Sequence, residues 1–532
     1  MKRRLYITAL LLAFAVAFAE ARPRLVVNIV VSGLSQHDIV RYEKNFGRDG
    51  FNLLRSRGVE FTECYADYAP TTSVAGLATL ATGASPATHG LFSSVLFDRT
   101  TNKPMVLCRK NQSNQSEALG GDVERCYTTQ HFTTQTLSEV LLSSSERNRT
   151  ITIAHKPLSA MVLAGRSGEC YWMNDKGKWS SADCYMGELP AWVNSYNNDD
   201  MNRVFATETW YGRYVREHYR NKQLTDIILY EQNTTKRPRQ QRKVPEGWVQ
   251  SLLSTPSGNL AIFEFAKRAV SSLMPLHVND ENKMLTICLD VPRTIAERYG
   301  TDSVEYEDML YSLDASLAEF LTFLYAQLPL TDDVAVVLTS DSGISPSKRD
   351  NNDATRFNTR QFEVIMNAFL SARYGQDAWI LGYADGSLYI NHDVVYRHKK
   401  SLAEVQNEVA NFALQYRGVA TAITATAMRS SQFWRGTMAL LQNGYNPRRS
   451  GDVMIALEAE RVELDSKRVA MSGSVYSYDR HVPLIVSGAQ IVPQRVEKRI
   501  STEQIAPTLA VMMGVERPQS SNAEVVAIEH RK

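Results

Sequence analysis

Several kinds of chemistry are missing from this chain. It has no surplus of either charge: 59 Lys and Arg stand against 57 Asp and Glu, a formal net charge of +2. That balance gives no case for nucleic acid as a partner. The densest basic stretch, KRPRQQRK at 236–243, reads as a solvated loop rather than a binding patch. There is no CxxC pair and no Cys/His cluster at zinc-finger spacing, which excludes cysteine chemistry as the function. There is no G-x-S-x-G elbow; the stretch TSVAG (72–76) lacks the first glycine and places its serine one residue early. Internal repeats and low-complexity linkers are absent too. Beyond the first twenty residues nothing approaches the ~20 consecutive apolar residues of a spanning helix, so no membrane span is expected in the mature chain.

What is present begins at the N-terminus. MKRR is a short positive region, YITALLLAFAVAFA an apolar stretch, and AFA or AEA supplies small residues for cleavage near Ala19–Ala21. Residues 1–21 therefore read as a secretory signal peptide, and the mature protein is expected in the periplasm or secreted. Export permits disulfides. Of the six cysteines, Cys64, Cys108, Cys126, Cys170, Cys184 and Cys288, the local pairs Cys108–Cys126 and Cys170–Cys184 are the natural candidates. Cys288, in an apolar strand, suits a buried free thiol.

With 532 residues, 44% of them hydrophobic, the chain can bury a large core. RLVVNIVVSG (24–33) is a near-continuous apolar run, as a strand buried on both faces of a parallel sheet requires. NRTITIAH (148–155), KMLTICLDV (283–291), DVAVVLTSD (333–341) and HVPLIVSG (481–488) repeat the pattern. Helical patterns lie between them, over 38–58, 303–328 and 502–515. The alternation predicts an α/β fold, a central, mostly parallel sheet with helices on both faces. Residues 90–135, polar and with two cysteines, read as an excursion outside that sheet. Residues 350–470 carry their own strands and helices and read as a smaller inserted α+β cap, leaving 22–349 and 471–532 as the core. In such sheets chemistry gathers beyond the carboxyl ends of the strands. That directs attention to Ser32, the loop PTTSVAG, residues 290–297, Asp341–Ser342 and the segment before HVPLIVSG.

At those places the chain resembles the alkaline phosphatase superfamily, in particular bacterial periplasmic enzymes with a threonine nucleophile and two zinc ions. PTTSVAGLATLATGASPATHG (70–90) is similar to the family's nucleophile loop, PTxTxxGHASxxTGxxPxxHG. LFDR (96–99), YWMND with ELPAWVNSYN (171–197), TSDSG, GSVYSYDRHVPLIVSG (473–488) and IAPTLAVMMGV (505–515) follow in the family's order. The resemblance implies a two-metal mechanism in which one zinc activates the nucleophile and the other stabilises the leaving oxygen.

Carried over residue by residue, the resemblance puts Ser73 at the nucleophile position. The six metal positions fall on Ser32, Arg293, Glu297, Asp341, Ser342 and Met471, of which only Asp341 keeps its residue. The Asn that would hold a phosphoryl oxygen is Ser94; of a Lys–x–Arg pair Lys156 survives and Leu158 replaces the Arg. Serine hydroxyls are poor zinc ligands, thioether sulfur suits softer ions, and a protonated arginine cannot ligate. Asp290 and Asp38 point the wrong way or lie too far on to substitute.

The expectation is therefore no cofactor, the two-zinc site being lost, and a catalytically inactive member with a binding or interaction role. Its partner would be a protein or an anionic small molecule held by Lys156, Arg293 and Ser94. The competing expectation is a phosphoester hydrolase with a modified or metal-poor site. Arg293 is expected to neutralise Glu297 and Asp341, and Ser73 to cap its helix. His89 and His481 are expected in structural roles.

Overall fold

A computed structural model describes residues 22–110, 118–119, 123–124, 126–220, 227–230, 247–274, 281–327, 334–346, 356–463, 468–488 and 490–531. The leader expected at 1–21 and the basic stretch at 236–243 lie outside them. The α/β expectation is borne out. Leu25–Val31 is the middle of a twelve-stranded sheet and pairs in parallel with Lys283–Leu289 on one side and Val334–Thr339 on the other. Arg149–Ala154 and Glu169–Met173 extend the parallel run. Beyond Val334–Thr339 the sheet turns antiparallel through His481–Gly488 and Gly58–Tyr65.

The apolar runs form strands because both faces of the sheet are covered. Along Leu25–Val31, Leu25, Val27, Ile29 and Val31 enter one core with helices Ser257–Leu273 and Val304–Ala326. Val26 and Val30 enter the other, with helices Ser73–Thr82, Pro157–Ala164 and Ile505–Met513. Burial of two faces leaves no place for the polar alternation of a half-exposed strand.

The excursion expected at 90–135 lies only partly outside the sheet. Val95–Asp98 and Lys103–Val106 form a separate hairpin, but Val123–Glu124 pairs with Trp179–Ala182 and lengthens the sheet's edge. Strands Ile380–Ala384, Ser387–Ile390, Val419–Thr424 and Val453–Leu457 make a second sheet, backed by Thr359–Tyr374 and Leu402–Ala413. No described helix is long and apolar enough to cross a membrane.

The expected disulfides are not seen: among the described residues neither Cys108–Cys126 nor Cys170–Cys184 is bonded. The Cys126 sulfur faces the Arg109 guanidinium at 3.0 Å instead of a second sulfur. Cys170 sits in the interior strand Glu169–Met173, whereas Cys184 lies in a half-buried turn. The Cys170, Cys184 and Cys108 thiols lie close together without a bond between them; burial, and then the neighbouring thiols, raise the pKa of Cys170 and Cys108.

Helix Ser73–Thr82 lies against the end of strand Val334–Thr339 with almost no clearance. A Cβ at Gly76 would stand 1.9 Å from the Asp341 carbonyl oxygen. Gly76→Ala is expected to cost about 3 kcal/mol or more, at the upper end of overpacking. Urea unfolding of the two proteins measures it; an unchanged midpoint contradicts this packing.

Candidate functional site

The parallel strands deliver their last residues to one edge. Val31 stands beside Leu289, and Val30 beside Thr339, so Ser32, Asp290 and Ser340–Asp341 emerge together. The Ser32 amide binds the Leu289 carbonyl at 3.0 Å and fixes that corner. After Asp290 the chain enters helix Val291–Tyr299, whose first turn turns Arg293 back over the strand ends.

The Asp341 carboxylate is the hub of this edge. It is fully buried and accepts from Ser32 Oγ at 2.8 Å, Ser73 Oγ at 2.5 Å, the Gly33 amide at 3.1 Å and the Ser342 amide at 2.8 Å. Arg293 Nη2 reaches both its oxygens at 3.1 Å. The rest of the guanidinium is equally engaged: Nε donates to Ser32 Oγ at 2.8 Å, Nη1 to Ser472 Oγ at 2.5 Å, and Nη2 to Ser342 Oγ at 2.7 Å. Glu297 stands off at 3.9 Å, bound on its far side by Arg468 at 3.4 Å. Burial opposes the charge on Arg293, but Asp341 and then Glu297 outweigh it and hold its pKa above the ordinary value.

Ser73 does not cap its helix. Thr72 does, its Oγ1 accepting from the Ala75 amide at 3.1 Å. Ser73 is the first helical residue, so its half-buried hydroxyl is free to reach Asp341. Met471 lies at the margin, bracketing Ser345 through backbone bonds. Lys156 and Ser94 are exposed, and among the described residues no hydrogen bond or ion pair joins them to the cluster.

The neighbouring acids and histidines hold the fold. Asp290 caps helix Pro157–Ala164 through the Lys156 amide at 3.1 Å and Ser159 Oγ at 2.7 Å. Asp38 closes a capping box with Ser35. His89 is buried between Thr79 and the Leu91 amide, and burial pushes its pKa down to about 3. His481 stacks on Tyr65 with ring centroids 4.3 Å apart. Sequence reasoning missed Ser472, one residue past Met471, and Asp479, the acid before the HVPLIVSG strand. Asp479 is fully buried; burial pushes its pKa up to about 7, against the Ser474 hydrogen bond and the nearby Arg293 charge.

Two outcomes are expected. Arg293→Met leaves the Asp341 carboxylate buried without a counter-charge and should cost roughly 3–5 kcal/mol. Adding Asp341→Asn should recover most of that loss, and urea titrations of wild type, single and double variants measure both steps. For Asp479, a folded pKa of about 7 lies above the unfolded value. Folding therefore holds a proton that the unfolded chain releases, and stability falls as pH rises from about 4 to about 7. Asp479→Asn should gain roughly 2–3 kcal/mol relative to wild type between pH 5 and pH 8. Parallel changes in the two proteins contradict the assignment.

Comparison with known proteins agrees with the fold. The family described as type I phosphodiesterase / nucleotide pyrophosphatase matches residues 26–468. A protein named a calcium-transporting ATPase, from Myroides odoratus, is 26% identical, the match covering 96% of this chain and 95% of that one. Alkaline phosphatase PafA from Elizabethkingia meningoseptica is 24% identical over 94% of each chain. The crystal structure of wild-type PafA superposes with a TM-score of 0.84 at 22% identity, covering 95% of this chain and 98% of that one.

The expectation of no cofactor is corrected by this kinship. The alkaline phosphatases that the chain matches from end to end are metal-dependent, and zinc is what membership implies. The residues gathered at this edge do not fit a pair of such ions. One carboxylate is already saturated by N–H and O–H donors, serine hydroxyls are weak ligands, and a guanidinium lies among them. Among the described residues no three His, Cys, Asp or Glu side chains come together as a ligand set. By the match over 26–468, the chain belongs to the type I phosphodiesterase / nucleotide pyrophosphatase family, within the alkaline phosphatase superfamily.

Proposed function

We propose that this protein is a phosphoric ester hydrolase with a modified centre, in which Ser73 is the attacking alcohol. Family membership supports the reaction class. The observation that carries the assignment to this site is the Ser73 hydroxyl itself. It lies at the first turn of a ten-residue helix, half-buried, and hydrogen-bonded to the Asp341 carboxylate at 2.5 Å. A hydroxyl so held is oriented, and its carboxylate partner favours removal of the proton as the oxygen attacks. The helix N-terminus offers partial positive charge to phosphoryl oxygens. Lys156, exposed at the start of the neighbouring helix, is the proposed mobile cation, and Ser94 a proposed hydroxyl partner for the ester. The leader-like residues 1–21 support an exported protein.

A second reading has its own observation. Arg293 occupies Asp341 with two contacts at 3.1 Å, so both carboxylate oxygens are already committed to the guanidinium as well as to Ser73. On that reading the site holds a phosphate or sulfate ester without turning it over.

Purified protein assayed with p-nitrophenyl phosphate and bis-p-nitrophenyl phosphate, zinc-supplemented and chelator-treated, separates the two. The hydrolase reading expects turnover that Ser73→Ala reduces by about a hundredfold or more. Activity no greater than that of Ser73→Ala under every condition overturns it. Phosphate calorimetry on wild type and Arg293→Ala then tests the binding reading, which fails if the wild type gives no saturable heat.

A further inference from the structure

A cleft lies between the second sheet and the segment 471–479. Its volume is about 50 Å³, and it is lined among others by Tyr383, Asp385, Glu458, Ser472, Tyr478 and Asp479. That is room for a small polar group and its immediate neighbours. Ser472 joins it to the strand-end cluster, since its hydroxyl accepts from Arg293 at 2.5 Å.

Asp479 gives the cleft its chemistry. Its side chain is fully buried; Oδ2 accepts the Ser474 amide at 2.7 Å, while Oδ1 has no hydrogen-bond partner among the described residues. A buried acceptor left without a donor is costly, so folds rarely retain one without a use. A second carboxyl, that of Asp385, stands at the tip of the hairpin joining Ile380–Ala384 to Ser387–Ile390. There, with Gly386, it makes a two-residue Asp-Gly turn, in which its φ of 40° is the conformation that such hairpins favour. Burial raises its pKa too, against a hydrogen bond from Ser93. On the rim, Arg461 bonds Glu458 at 2.6 Å, so the positive charge there is already balanced. The Arg293 charge behind Ser472 is spent on Asp341.

The excess of acid points to a cation, and the geometry restricts its kind. No three carboxylates converge as a metal site requires among the described residues. An acceptor buried without a donor asks for an N–H, which a quaternary ammonium cannot supply and a primary ammonium supplies three times over. The rings of Tyr383 and Tyr478 on the same walls suit an organic cation further. We propose that this cleft is a subsite for the primary ammonium group of a small amine-bearing ligand, with Asp479 Oδ1 and the Asp385 carboxylate receiving its N–H bonds. The inference rests on the phosphoester reading only for the other half of that ligand, a phosphoester of an amino alcohol whose ester end would reach Ser73.

Titration calorimetry with ethanolamine as the probe, at pH 8 on the full mature chain, tests the subsite without any phosphate present. Saturable binding is expected, weakened at least tenfold in Asp479→Asn and in Asp385→Asn. Choline, equal in charge but without an N–H, is expected to bind at least tenfold more weakly than ethanolamine. Absence of saturable ethanolamine binding, or equal affinity in wild type and folded Asp479→Asn, overturns the proposal. If circular dichroism shows Asp479→Asn unfolded, unchanged affinity in Asp385→Asn overturns it instead. Ethanolamine binding by a protein that cleaves no phosphoester would sink the hydrolase reading and leave the subsite standing. Turnover without ethanolamine binding would do the reverse.

Discussion

The buried ion pair of Arg293 and Asp341 is the constraint that organises this whole edge. Taking both charges out of water costs several kcal/mol per ion, and their attraction offsets this only if the remaining donors and acceptors are satisfied. The chain meets that condition with small hydroxyls. Ser32 both accepts from Arg293 Nε and donates to Asp341, while Ser342 and Ser472 take the other guanidinium N–H groups. These residues come from four separate stretches of the sequence, so the pair locks strand ends, a helix and the late loop into one arrangement. Gly76 is the steric counterpart, since only a residue without Cβ lets the Ser73 helix approach the Asp341 backbone.

Much of the architecture was legible because the central strands are buried on both faces. That burial demands unbroken apolar runs, and all five runs picked out became strands of the large sheet. Gly58–Tyr65, near the sheet's edge, escaped notice because GVEFTECY interleaves polar residues. Its Glu60 is buried yet paired with Arg55 at 3.1 Å, a compensation no local pattern reveals. At the site, the end of an apolar strand led to Asp341 and Ser342, and the family resemblance led to Arg293. Ser472 and Asp479 were not legible, because a lone serine or aspartate in a polar loop carries no periodicity. The cap was placed one residue late for a related reason: Thr72 and Ser73 are both alcohols, and only backbone geometry at Thr72, extended at φ −70° and ψ 162°, distinguishes them.

Kinship and local chemistry pull in different directions at this centre. The family implies divalent ions, which bring several positive charges to the strand ends and need carboxylates and imidazoles around them. The edge described here supplies a single guanidinium and a single fully bonded carboxylate. A guanidinium is always charged and fixed in its fork geometry. It can hold Asp341 in place, but it cannot polarise a hydroxyl as a metal ion does. Any activation of Ser73 by the chain's own groups must therefore come from Asp341 and the helix terminus.

Charge accounting narrows what such a site can take. Arg293 is balanced by Asp341, and Glu297 by Arg468, so the cluster is close to neutral as built. A dianionic monoester entering it would find only the partial charge of one helix terminus and the exposed Lys156, a modest return for the hydration it gives up. A ligand that carries its own positive charge loses less. With the ammonium end seated against the acids of the adjoining cleft and the phosphoryl end near Ser73, each half meets a complementary potential. Neutrality at the strand ends and excess acid in the cleft are thus two sides of one arrangement. The first removes the strong attraction for dianions, and the second supplies attraction for the cationic half of a zwitterion.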